Sequence, residues 1–94
     1  MTIDLDDLTA RAAIADALHS YCRGIDRLDP DAVRAAFHDD GILVDYGSPD
    51  PVRAVEFAHA ATTSLRRYAA TQHRVTNTAI VERTATTARV ESYI

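Results

Sequence analysis

The chain has 94 residues, 47% hydrophobic and 26% charged, which makes one small domain with a modest core. Its 14 acidic residues outnumber 10 basic ones for a formal charge of −4, every base is arginine, and no basic cluster tracks a phosphate backbone, so nucleic acid is excluded as the expected partner. No apolar run approaches the length of a membrane span, the acidic start "MTIDLDDLTARAA" is no secretory signal, and the lone Cys22 cannot form an internal disulfide, so no membrane partner and a cytoplasmic location are expected.

A first helix is predicted from about Leu5 to Ile25, where Leu8, Ile14, Leu18, Tyr21 and Ile25 recur at steps of three or four. A second, short helix opens on Asp29 as N-cap with Pro30 in the first helical position and Asp31 in the first turn. It stops at "HDDG", and the β-branched run "ILVDYG" at 42–47 reads as a strand. "SPDP" repeats the helix-start pattern, which predicts a third helix from about Pro51 to Tyr68. Strands at 71–81 and 86–93, joined by "ERTA", read as an antiparallel hairpin. The order α-α-β-α-β-β gathers the helices first and the strands last, so the fold class is α+β, a single domain over 1–94. The last strand leaves an outer edge open, and an open apolar edge predicts pairing with a second chain, most simply in a homodimer.

Four places could carry chemistry. In "TQHRVTNTAI", alternation puts His73, Val75, Asn77, Ala79 and Val81 on one face. That face is apolar and uncharged apart from His73 and Asn77, which must find partners or line a cavity. Tyr21 lies on the apolar stripe of the first helix, so its hydroxyl needs a partner. Asp26 follows five residues later, about 140° round an ideal helix, so both face one cavity only if the helix crosses a rim or unwinds near Gly24. Alternation sends one of Asp45 and Tyr46 inward and the other outward. Each has a plainer reading: a histidine on an apolar face is more often structural, Tyr21 is a core aromatic, and Asp26 ends a helix. Cys22 reads as a small buried hydrophobe, and His19, His38 and His59 as surface or packing residues. "HDD" lacks the paired spacing of a metal site, and no phosphate loop or dinucleotide fingerprint is present.

The run "LHSYCRGIDRLDPDAVRAAFHDDGILVDYG", with "TQHRVTNTAI" and "TARVESY", resembles the SnoaL-like branch of the nuclear transport factor 2-like superfamily. The similarity covers nearly the whole chain. It implies a cone-like curved antiparallel sheet whose cavity the N-terminal helices close, with His73 and Asn77 on the concave face. The branch includes dehydratases, a steroid isomerase and polyketide cyclases that use no cofactor, alongside members of no known activity. By position Tyr21, Asp26 and His73 resemble the trio of a bile-acid dehydratase, and Asp26, Tyr46 and His73 resemble active-site positions of scytalone dehydratase. Tyr21 and Asp45 resemble the oxyanion donor and the base of the steroid isomerase. The resemblance therefore implies a hydrophobic, ring-bearing small-molecule ligand, with Asp45, Tyr46 and Asn77 as substrate-binding positions. Family members extend through further C-terminal strands, and "ERTA" stands where they have a Gly-Asp turn, so the domain is expected to be incomplete at its C-terminus. Two expectations stand: a hydro-lyase or isomerase, and a non-catalytic ligand-binding or dimerisation module of the same fold.

Overall fold

The computed structural model describes residues 4–94, and its first helix, α1 (Leu5–Asp26), begins on a side-chain cap. Asp4 Oδ1 accepts the Asp7 backbone N–H at 2.7 Å, and Asp6 and Asp7 complement the positive end of the helix dipole. The helix ends in a Schellman motif. The Asp29 N–H reaches back to the Gly24 carbonyl at 2.8 Å and the Leu28 N–H to Ile25 at 3.2 Å. Leu28 takes the left-handed position (φ 54°) that glycine usually fills. The same Asp29 then caps α2 (Pro30–Ala35), accepting Ala32 N–H at 3.2 Å. Two helices thus meet across a tight corner, as the Asp-Pro signal predicts.

The middle of the chain departs from expectation. The strand predicted over 42–47 shrinks to β1 (Ile42–Leu43), because Asp45 (φ 55°) and Gly47 (φ 74°) leave the extended region. Its partner is β2 (Val52–Arg53), where the sequence reads as the start of a helix. Ile42 pairs with Arg53 and Leu43 with Val52, so α3 (Ala54–Ser64) starts three residues later than predicted. It closes in a 3₁₀ turn, Leu65–Arg67. The core lies between the helices: Ile25, Val33 and Ala58 are buried, with Tyr21, Phe37, Phe57, Ala61 and Leu65 packed against them.

The late hairpin is present with shifted boundaries: β3 (Thr76–Arg83) pairs antiparallel with β4 (Ala88–Tyr93). Thr84 builds the turn, its hydroxyl accepting the N–H groups of Thr86 and Thr87 at 3.3 and 3.0 Å. Residues 71–75 lie outside the ladder. The single inner face read for 71–81 is corrected at Asn77, which adopts φ 55° at an irregularity in the register between Thr76 and Ala79. An inserted residue reverses the phase of alternation. His73 and Val75 are half-buried as expected, but Asn77, Ala79 and Val81 are exposed and Ile80 turns inward. Helices followed by antiparallel strands make the domain α+β, with the described residues carrying two separate two-stranded sheets. No helix among them is long and apolar enough to cross a membrane.

Candidate active site

Asp26, the last residue of α1, meets the irregular stretch that leads into β3. His73 Nδ1 lies 2.6 Å from Asp26 Oδ1, and the His73 backbone N–H donates to Asp26 Oδ2 at 2.9 Å. The Thr71 hydroxyl donates to Oδ1 at 2.9 Å. The side chains of His73 and Asp26 are 28% and 21% exposed, so the pair is partly shielded without being sealed. With Nδ1 turned to a carboxylate, the neutral imidazole carries its proton there, and Nε2 is the nitrogen left with a free lone pair.

Partial burial pushes the Asp26 carboxyl upward. The His73 ring, the His73 backbone N–H and Thr71 together pull it down by more, to a net value below the ordinary 3.8. Folding thereby lowers the proton affinity of Asp26. Its contribution to stability is complete above the ordinary carboxylate value and is lost as pH falls through the depressed folded one. Stability measured by urea unfolding should therefore drop more steeply below about pH 4 in the native chain than in Asp26→Asn. Equal slopes would mean that the carboxylate is not held by these bonds.

On one side of His73 lies an apolar cavity of about 410 Å³, lined by Leu18, Tyr21, Phe37, Leu43 and Tyr46 among others. The Tyr21 ring meets Phe37 edge-on at 6.0 Å between centroids and stacks on Phe57 at 6.3 Å, while Tyr46 meets Phe57 edge-on at 5.4 Å. Burial, and after it the neighbouring Tyr46 hydroxyl, push the Tyr21 hydroxyl well above the ordinary tyrosine range. Tyr21 is therefore a hydrogen-bond donor at neutral pH, not a phenolate. On the other side lies a polar hollow of about 520 Å³ that Asp26, Thr71, Cys22 and His19 border. His73 belongs to both linings. The two faces of α1 thus do not converge on one cavity; His73, which lines both hollows and bonds Asp26, links the carboxylate to the chamber that Tyr21 lines.

The family model for the SnoaL-like domain matches residues 6–94. The chain belongs to the SnoaL-like family. No curated protein and no solved structure gives a significant match to it.

Within this SnoaL-like domain the other expected positions are distributed unevenly. Tyr46 reaches the apolar cavity, while Asp45, exposed at a left-handed backbone position, is absent from its lining. Asn77, turned out by the irregularity at its own residue, is also absent from that lining. The expected pocket-facing placement of Asp45 and Asn77 is thereby corrected. Cys22 is buried, and burial followed by the Asp26 charge pushes its thiol up, so it behaves as the small apolar group expected. Thr71 is a member of the site that sequence reasoning passes over. A signal for it exists, since in an extended segment residues 71 and 73 share a face and any partner of His73 is within reach of Thr71.

Proposed function

We propose that this SnoaL-like domain is a hydro-lyase or isomerase that works by acid-base chemistry on a hydrophobic, ring-bearing carbonyl compound, without a cofactor. The observation that carries the reading is the position of His73. One ring nitrogen is held by a carboxylate, and the ring borders an apolar cavity into which a protonated tyrosine faces. Nε2 removes the proton α to the carbonyl, and the electron pair moves onto the carbonyl oxygen. The Tyr21 hydroxyl donates to that developing enolate, and Asp26 steadies the imidazolium that forms. For dehydration, collapse of the enolate expels the β-hydroxyl, which takes the proton from Nε2 and leaves as water. For isomerisation the same proton returns to a different carbon. Phe37, Leu18 and Leu43 supply the apolar walls that favour a ring.

The test uses a set of ring-bearing β-hydroxy ketones. Formation of the conjugated enone is followed by absorbance, and exchange of the α-proton is followed in heavy water. Tyr21→Phe should keep the aromatic packing and lower turnover by about 10²–10³, the usual scale for one lost oxyanion donor. If α-proton exchange in the native protein equals the buffer rate across the set, the dyad is a structural tie and the domain is a binding module.

A further inference from the structure

Asp26 is fixed by more than its histidine. Oδ1 receives two donors, His73 Nδ1–H at 2.6 Å and the Thr71 hydroxyl at 2.9 Å, while Oδ2 receives the His73 backbone N–H at 2.9 Å. Resting on the reading of His73 as base, we propose that Thr71 is a positioning residue that holds Asp26 Oδ1 in line with His73 Nδ1 and keeps the shared proton on the imidazole.

A carboxylate oxygen offers two lone-pair directions, and at Oδ1 both are taken. The His73 backbone clamps the opposite oxygen, so the carboxylate plane is pinned at both ends. Without the Thr71 hydroxyl only the Oδ2 end is pinned by a group other than the imidazole itself. The carboxylate is then free to turn, and the bond that selects the Nδ1–H tautomer loosens. The two donors on Oδ1 also share its charge, which makes it a poorer acceptor for full transfer of the histidine proton. Asp26 thus stays a carboxylate while the imidazolium comes and goes. The segment supplies the fit: Thr71 and His73 are half-buried toward α1, whereas Gln72 and Arg74 are exposed and bond to each other at 3.1 Å. Threonine also suits the site through its restricted χ1, which limits where the hydroxyl can go.

Thr71→Val keeps the shape and removes the donor, and Thr71→Ser keeps the donor. The readout is the His73 ring Nδ1–H resonance in the ¹⁵N-labelled full chain, which a short bond to a carboxylate moves far downfield. The native chain and Thr71→Ser should retain that resonance, and Thr71→Val should lose it or move it upfield. On a ring ketone that the native protein turns over, Thr71→Val should lower kcat about tenfold, the low end of what losing a hydrogen-bonding partner costs at metal-bound histidines, with KM nearly unchanged. A downfield resonance unaltered in Thr71→Val overturns the proposal, as does equal loss in Thr71→Val and Thr71→Ser. Should Thr71→Val fail to fold, Thr71→Ala takes its place: a lost or upfield resonance supports the positioning role, and an unaltered one overturns it. Failure of the catalytic reading looks different: His73→Ala would keep turnover, and the resonance would still report whether Thr71 positions Asp26.

Discussion

Replacing His73 by alanine lowers turnover of a dehydrated or isomerised ring ketone by about 10³ or more, within the usual 10²–10⁴ contribution of a positioned acid or base. Asp26→Asn lowers it by a similar order, because the carboxylate accepts three bonds that an amide cannot all accept, and asparagine cannot neutralise the imidazolium. The double substitution costs little more than either single one. Residues that act as one unit do not add their losses, since removing the first already disables the second. Steady-state rates of the two single variants and the double variant decide the matter. Fully multiplicative losses would mean that Asp26 acts on the substrate independently, and the histidine–carboxylate pairing would cease to explain the chemistry.

Gly24→Ala destabilises the domain, although alanine is the better helix former by about 1 kcal/mol. A Cβ at this position would lie 2.7 Å from the Val33 backbone nitrogen, 2.8 Å from Val33 Cγ2 and 3.1 Å from the Ala32 carbonyl carbon. Two of these three atoms are backbone and cannot rotate away, so α2 would have to move off α1. An approach below 3.0 Å to a backbone atom puts the overpacking in the upper part of the usual range, at about 2–3 kcal/mol, which leaves a net loss of at least about 1 kcal/mol after the propensity gain. Val33 is fully buried, so the core is pushed open at its best-packed point. For a domain of this size each 1 kcal/mol is worth about 4–8 °C, so a fall of at least about 4 °C in Tm is expected. The same corner sets the direction of the last turn of α1, so ligand binding in the apolar cavity should weaken as well. A Tm equal to or above the native value would show that the two helices have room to spare.

Local chemistry made the helical part legible. Asp29 and Pro30 carry the α2 start within their own side chains and ring, and the stripe of α1 needs only its own period. The middle of the chain was less legible because its structure is decided at a distance. "SPDP" looks like a helix start, yet Val52 and Arg53 pair with Leu43 and Ile42, and that pairing delays the helix to Ala54. No local pattern distinguishes a proline that opens a helix from one that precedes a short strand. Asp45 and Asn77 fell out of the apolar cavity's lining for another reason. Both take positive φ, which asparagine and aspartate tolerate better than most residues, and a single such residue ends a strand or flips its phase.

Residue types and their spacings along the chain were enough for the α+β order, the first helix and the capped start of the second, and the likeness of whole motifs to the SnoaL-like branch pointed to the family. They also marked Tyr21, Asp26 and His73 as the residues to watch. How those three relate came from the folded chain alone. Tyr21 and Asp26 stand on different faces of α1 and open on different hollows, a difference that the helical period predicts but cannot reconcile. The reconciliation comes from a segment some 45 residues further on, which lays Thr71 and His73 against the end of α1. A hydrogen bond across that separation has no trace in local propensity, since it exists only once the chain has folded back and the carboxylate has lost enough water to need new donors.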